Sequence, residues 1–592
     1  MRYRLLIVAA FLTTACVAFG QHRPKLSAEL QNRDLGIRVN VLIQYKHTPE
    51  QRNIDAVVSR GGRHLGTLGL VNGIAYEIDA KELADLANDP EVELISPDHK
   101  LAATDFTTTT VAALAALTSP DYGWMGTLGL TSPTARAAYD GTGVGVAVID
   151  SGIHLNNDLG ALQNGSRVVY SQSFVPGDSS TDDAFGHGTH VAGIVGGNGK
   201  NSAGFSFNYV VRGLAPNVNI INLRVLDQNG SGTDSAVIAA IQRAIALKSR
   251  FNIQVINLSL GRPVTSSYTS DPLCQAVESA WKAGIVVVVA AGNQGRNNSA
   301  GTAGYGTITA PGNDPYVITV GAMNTEGTLS RWDDKMASYS SKGPTLLDHV
   351  VKPDLVAPGN RIFSDLVPGS TLAEQYPQNI VSSSLLTILP GYTSYYFQLS
   401  GTSMAAPSVS GTAALLLQQN PYLTPDQVKA RLMMTADKTF PAATCPAIQN
   451  CISQAQMMTT ATDASTNISY TTYYDVFTVG AGYLNAAAAL GNSNVPPASG
   501  TALSPTVTFN SSTKAVNLVN ASNVIWGTNV IWGTNVIWGT NVIWGTNVIW
   551  GTNVIWGTGT TSACNVIWGT NVIWGTGTTS TESSNLTLLG EQ

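Results

Sequence analysis

The chain is poor in charge. Asp, Glu, Lys and Arg make up 12% of its 592 residues, about half of the usual ~25%. The balance is slightly acidic, 32 Lys and Arg against 38 Asp and Glu, and no basic run interrupts it. That leaves no electrostatic footprint for nucleic acid. Long apolar runs are scarce too. The stretch from Leu5 to Phe19 is too short for the ~20 residues that span a bilayer, and no later stretch reads as a span. Cysteine is limited to five positions, too few to build a chain of this length on disulfides.

The N-terminus carries an address. Arg2 and Arg4 precede the apolar stretch, and Ala18-Phe19-Gly20 places small residues where a signal peptidase reads. Residues 1–20 are therefore expected to be a secretory signal, cleaved before Gln21, and the protein to be extracellular. Cys16 raises attachment to a cell surface through lipid, but Thr13 stands where a lipoprotein signal prefers Leu. In an oxidising compartment, the close pair Cys445 and Cys451 suits a local disulfide. Cys274 falls in a predicted helix and reads as a buried free thiol.

Residues 37–100 read as a small separate domain. Val39 to Tyr45 alternates like a strand, Asn53 to Ser59 is helical, and Leu68 to Ile78 is a hairpin turning at Asn72-Gly73. Ala80 to Asn88 is a second helix and Val92 to Ile95 a last strand. The order β-α-β-β-α-β is the ferredoxin-like arrangement. Residues 101–120, rich in Thr and Ala, read as a cleavable linker.

Residues 121–490 are expected to form an α/β body. Gly145 to Ile149 is an unbroken apolar run of the kind buried on both faces of a parallel sheet. Strand-like runs then alternate with helix-like ones: Asn219–Val225, Ser235–Leu247, Val255–Leu260, Pro272–Ala283, Ile285–Ala290 and Tyr316–Val320. That alternation predicts a doubly wound, mostly parallel sheet, with ligands beyond the carboxyl ends of its strands. Asp150, Ser259 and Asn293 fall at or just past such ends.

Three segments carry the chemistry. Gly401-Thr402-Ser403-Met404-Ala405-Ala406-Pro407 sets a serine before a long apolar helix. A serine is a poor nucleophile unless a base takes its proton and a third group orients that base. Gly186-His187-Gly188-Thr189-His190 offers the base at a helix start, and Val148-Ile149-Asp150-Ser151-Gly152 the carboxylate at a strand end. Taken singly, His187 reads as a core histidine, Asp150 as a turn residue and Ser403 as a helix cap. Together, in the order Asp, His, Ser, they resemble the three signature segments of the subtilisin-like serine proteases. Asn257 to Gly261, Ala290 to Asn293 and Lys352 to Gly359 resemble further segments of that family, and Val71 to Glu77 with Val92 to Asp98 its inhibitor-type prodomains.

The resemblance implies a secreted serine endopeptidase, made as a zymogen, that hydrolyses peptide bonds in proteins with Ser403 as nucleophile, His187 as base and Asp150 as its orienting group. It implies an oxyanion donor in Asn293 and a first specificity pocket walled by Ser259, Leu260 and Gly261 on one side and Ala290, Ala291 and Gly292 on the other. Thr309 narrows its floor, and medium apolar side chains are the expected fit. The chain's own prodomain is the implied inhibitor and folding partner. The chemistry requires no cofactor. Many members of the family bind structural calcium, but Asp158, Asp182 and Asp183 read as solvated surface, and no metal ligands are assigned. A sedolisin-type peptidase would put Glu where His187 stands. The alternative from another class is a non-enzymatic surface or adhesion protein with a degenerate protease body.

Residues 491–522 read as a linker, and a chain ending near 495 is expected to mature and cleave. The hexapeptide Asn-Val-Ile-Trp-Gly-Thr then recurs over 523–576, taking eight of the eleven Trp, with 577–592 as a tail. Val, Ile, Thr, Asn and Gly disfavour helix, so the repeat is β-type or disordered.

Overall fold

The computed structural model describes residues 25–31, 34, 36–103, 124–130, 138–160, 165–388, 391–444, 457–463, 466–493, 501–510 and 515–519. The signal, residues 104–120 of the linker, Cys445, Cys451, the repeats and the tail lie outside them. The chain divides into two compact units, residues 1–97 and 98–592.

The first unit holds β1 (Arg38–Tyr45), α1 (Gln51–Val58), β2 (Arg63–Leu68), β3 (Gly73–Asp79), α2 (Leu83–Ala87) and β4 (Val92–Pro97). The sheet is antiparallel, in the order β2-β3-β1-β4. Period-two alternation sends Val39, Val41, Ile43 and Tyr45 of β1 into the core, with Ile74, Tyr76 and Ile78 of β3 beside them. Leu83 and Leu86 of α2 close it. The turn into β3 rests on Asn72, which takes the left-handed φ of 49° that Asn tolerates.

The second unit is built on parallel strands. These are β6 (Gly145–Asp150), β7 (Val168–Ser173), β8 (Asn219–Arg224), β10 (Ile253–Leu258), β12 (Val286–Ala290), β13 (Ile318–Asn324) and β15 (Leu355–Pro358). Their spatial order is β7-β8-β6-β10-β12-β13-β15, and the short β14 (Lys335–Met336) adds antiparallel to the end of β13. Every residue of β6, β12 and β13 is buried, as strands covered on both faces require. Two pairs of helices pack against each other and the sheet: α3 (His187–Gly196) with α6 (Thr402–Gln419), and α4 (Asp234–Phe251) with α5 (Pro272–Lys282). The starts of α4 and α5 are local in origin. Thr233 caps the first through Ala236 N–H, and Asp271 caps the second ahead of Pro272.

Two smaller features bear on the site. The pair β16 (Ile362–Asp365) and β17 (Tyr396–Leu399) is antiparallel and leads the chain into α6. A separate three-stranded antiparallel sheet has the order β9-β5-β11, formed by β9 (Ser231–Thr233), β5 (Lys100–Ala103) and β11 (Leu260–Gly261). The segment that composition reads as the start of a linker is thus its middle strand.

Part of the stretch 491–522 is also built into this unit. Ala502, Ser504 and Val507 are buried, and Ser504 N–H donates to Pro315 O at 3.0 Å. From Thr506 the chain makes the antiparallel pair β18 (Thr506–Asn510) and β19 (Ala515–Val519). No helix among the described residues is long and apolar enough to cross a membrane.

Candidate active site

β6 lies between β8 and β10, where strand order reverses direction along the sheet. A crevice opens at such a switch point, beyond the carboxyl ends of the strands. Asp150 is the last residue of β6, and Ser259 follows the last residue of β10.

His187 opens α3. Gly186 before it takes a φ of 100°, and a Cβ there would lie 2.5 Å from Ser370 Oγ, so conformation and space both call for glycine. Gly188 after it lets the helix start press against β6; a Cβ there would meet Gly152 O at 2.3 Å and Asp150 Cβ at 3.1 Å. That approach brings His187 Nδ1 to 2.6 Å from Asp150 Oδ1, with both side chains buried. Asp150 Oδ1 also accepts from Ser151 N–H at 2.8 Å. An acceptor at Nδ1 fixes the proton there and leaves Nε2 as the basic nitrogen.

Ser403 is buried in the first turn of α6, and α6 packs on α3. Its hydroxyl donates to Ser259 O at 3.1 Å, and Ser259 Oγ donates back to Ser403 O at 2.9 Å. The serine turn is thereby locked to the end of β10. Asn293, also buried, accepts from Thr402 N–H at 2.9 Å and from Thr402 Oγ1 at 3.0 Å through Oδ1. The amide is thus oriented with Oδ1 turned to Thr402 and Nδ2 on its other side. Thr402 Oγ1 accepts from Gly292 N–H at 3.1 Å, tying the 290–293 segment to the same helix start.

Sequence reasoning missed Asp183. Read as solvated, it is buried and takes four donors. Oδ1 accepts from Ser151 Oγ at 2.7 Å and Gly186 N–H at 2.7 Å. Oδ2 accepts from Thr189 N–H at 2.8 Å and Thr189 Oγ1 at 2.7 Å. Ser151 Oγ in turn accepts from Gly188 N–H at 2.9 Å. One carboxylate thus clamps the residue after Asp150 to the residues on either side of His187. Asp158 is likewise buried rather than solvated, with Oδ2 accepting from Tyr396 OH at 2.6 Å. Asp182 is exposed and meets His154 Nδ1 at 3.0 Å. His190, one turn on from His187, is structural. Its Nε2–H serves the carbonyls of Ile362 and Phe397 at 3.2 and 3.0 Å, and burial pushes its pKa down to about 3. Among the described residues no group of three His, Cys, Asp or Glu is placed to hold a metal ion.

The strand β5 runs along this site. Ala103 pairs with Leu260 and Ala102 with Gly261 on one edge, and Leu101 with Gly232 on the other. Leu101 and Ala103 are buried there.

A parallel sheet with a buried Asp–His pair at its switch point and a serine at the start of a central helix defines a serine-hydrolase architecture. Residues 141–451 match the subtilase family. The chain is 41% identical over 303 residues to serine protease AprX of Bacillus subtilis, covering 50% of this chain and 62% of that protein. It is 38% identical over 298 residues to subtilisin DY of Bacillus licheniformis, covering 50% of this chain and 85% of that protein. Fervidolysin from Fervidobacterium pennivorans, described as a keratinolytic enzyme related to subtilisin, shares the fold: TM-score 0.54 at 22% identity, over 77% of this chain and 61% of that one. The chain belongs to the subtilase family, and its matched body is that of a subtilisin-like serine endopeptidase.

Proposed function

We propose that the protein is a secreted serine endopeptidase made as a zymogen, with Asp150, His187 and Ser403 as its catalytic triad. The observation that carries this is the buried His187 Nδ1 contact to Asp150 at 2.6 Å, made from the first residue of α3, the helix that packs on α6. Ser403 Oγ attacks the peptide carbonyl and His187 Nε2 takes its proton. His187 then returns the proton to the leaving amine, while Asp150 holds the imidazolium. Asn293 Nδ2 donates to the oxyanion, its orientation fixed beforehand by Thr402. The start of α6 adds backbone N–H groups and the positive pole of its dipole. No cofactor or metal enters these steps. Protein substrates bind as an added strand on Leu260–Gly261, the edge that β5 occupies in the uncleaved chain. Residues 37–100 supply the inhibitor and folding partner, and residues 1–20 direct export.

The test is Ser403→Ala. The purified wild type is expected to be cut after residue 100 and to hydrolyse casein, and the variant to stay full length and inert. Equal processing of both would sink self-cleavage; activity of the variant would sink the triad.

A further inference from the structure

The turn that leads into β9 also holds β5. Ala103 N–H donates to Gly230 O at 3.0 Å. A substrate lying where β5 does would offer the same carbonyl an N–H of its own; that placement belongs to the function proposed above, on which this inference rests. How well an extended chain meets the triad then depends on where Gly230 O stands relative to His187.

The turn is closed on itself. Asp227 Oδ1 accepts from Asn229 N–H at 2.8 Å and from Ser231 N–H at 2.9 Å. Asp227 N–H donates to Ser231 O at 2.8 Å, and Gly230 N–H to Asp227 O at 3.0 Å. A unit bonded in this way shifts as one body, so its register is set by what it leans on. It leans on Phe185: a Cβ on Gly230 would lie 2.5 Å from that ring. It is also held by Thr371, whose Oγ1 donates to Gln228 O at 2.8 Å.

Thr371 comes from the chain that leaves β16. It opens one short helical turn, Thr371–Gln375, capped by Ser370. Ser370, Thr371 and Leu372 also press on the turn that carries His187. Thr371 N–H donates to Ala184 O at 3.0 Å, and Leu372 N–H to Phe185 O at 3.1 Å. Ser370 Oγ lies 2.5 Å from where a Cβ on Gly186 would stand, beside His187. Thr371 is thus fastened by its main chain to the turn of the base and by its side chain to the turn of the substrate acceptor. Its χ1 is stiff, as in any β-branched residue, so the link is short and firm.

We propose that Thr371 is a positioning residue for the substrate backbone: its hydroxyl keeps Gly230 O in register with the His187 turn. It acts through the two turns and not by touching the substrate. An extended peptide that pairs with Gly230 O feels the brace; a substrate of one residue does not reach it.

The experiment measures kcat and KM of the mature protein on succinyl-Ala-Ala-Ala-Ala-p-nitroanilide and on acetyl-alanine p-nitrophenyl ester. Thr371→Ala is expected to lower the peptide-to-ester ratio of kcat/KM by about 3–10-fold, the weight of one ordinary hydrogen bond, and to do so through the peptide KM. Thr371→Ser, which keeps the hydroxyl, is expected to hold the ratio within about twofold of the wild type. Melting temperatures of both variants check that they fold. A ratio that the alanine variant leaves unchanged, or raises, overturns the inference. So does a loss shared equally by both substrates, which would make Thr371 a structural residue only. Hydrolysis of neither substrate by the wild type would instead overturn the function on which the inference rests.

Discussion

Ser504 lies nearly a hundred residues past the serine turn, yet it completes a buried charge cluster. Lys429 Nζ donates to Pro315 O, Tyr316 O and Val317 O at 2.9, 3.2 and 3.0 Å. It also meets Asp354 Oδ1 at 3.1 Å and Ser504 Oγ at 2.9 Å. Ser504 Oγ donates to Asp354 Oδ1 at 2.6 Å, and Lys352 Nζ pairs with Asp354 Oδ2 at 2.7 Å. Replacing Ser504 by Ala removes two hydrogen bonds to buried ions, each worth about 1.5–3 kcal/mol where a charge is involved. At ~2.1 cal/mol/K per residue, a body of about 400 residues unfolds with an entropy of ~0.8 kcal/mol/K. The loss of about 3–6 kcal/mol then lowers Tm by about 4–7 °C. A chain ending at residue 500 loses in addition the buried Ala502 and Val507 and the backbone bonds of Ser504, Pro505 and Val507, so it should melt at least as early. Thermal scans at one fixed rate, in a Ser403→Ala background that prevents autolysis, would compare Ser504→Ala and chains ending at 500 and 519. If all three melt within about 1 °C of the full chain, below the resolution at which such a shift has meaning, residues 501–507 are an ornament and the reasoning fails.

Other outcomes rest on the same geometry. Asp183→Asn puts an N–H against at least one of four donors, so the His187 turn loosens; kcat should fall by about 10–100-fold, with KM and the far-ultraviolet circular dichroism little changed. An unchanged kcat would make Asp183 merely structural. Asp314 is buried with Oδ2 unpartnered, and burial, with Glu278 nearby, raises its pKa to about 8 despite Lys352 and Lys429. The folded state then holds a proton that the unfolded state has released above pH ~4. Stability should fall by up to about 1.4 kcal/mol per pH unit between pH ~4 and 8, and Asp314→Asn should remove that slope in denaturant titrations; a parallel slope in the variant would show the group is not the source. If substrate lies where β5 does, beside Leu260–Gly261, cleavage falls shortly after Ala103, and N-terminal sequencing should find the mature start at Thr104 or Asp105. A start several residues away would mean that β5 is not seated as the substrate is.

How much was legible in the sequence depended on range. The unbroken run Gly145–Ile149 ending in Asp150 named a buried parallel strand with a carboxylate at its end, because both arise from neighbours in the chain. Asp158 and Asp183 were not readable. Asp183 takes donors both from Gly186 and Thr189 close by and from Ser151 more than thirty residues back, and Asp158 takes one from Tyr396; only the folded chain brings these together. Leu101–Ala103 looked like linker because the strand's pairing partners lie more than a hundred residues on. Thr309 was expected near Pro311 at the pocket floor; that Gly261 and Gly292 both press on it comes only from the fold.

A strand held on both sides leaves two rows of unsatisfied amides and carbonyls when it departs. If maturation removes residues 100–103, as proposed, β9 and β11 are left facing each other across a slot one chain wide. Whatever fills it must offer several consecutive residues drawn out straight, with their own main-chain groups unclaimed. A rigid helix or a tight hairpin cannot do so; frayed ends, slack loops and unravelled polypeptide can. On that proposal, selection begins with the looseness of the target before any side chain is tasted.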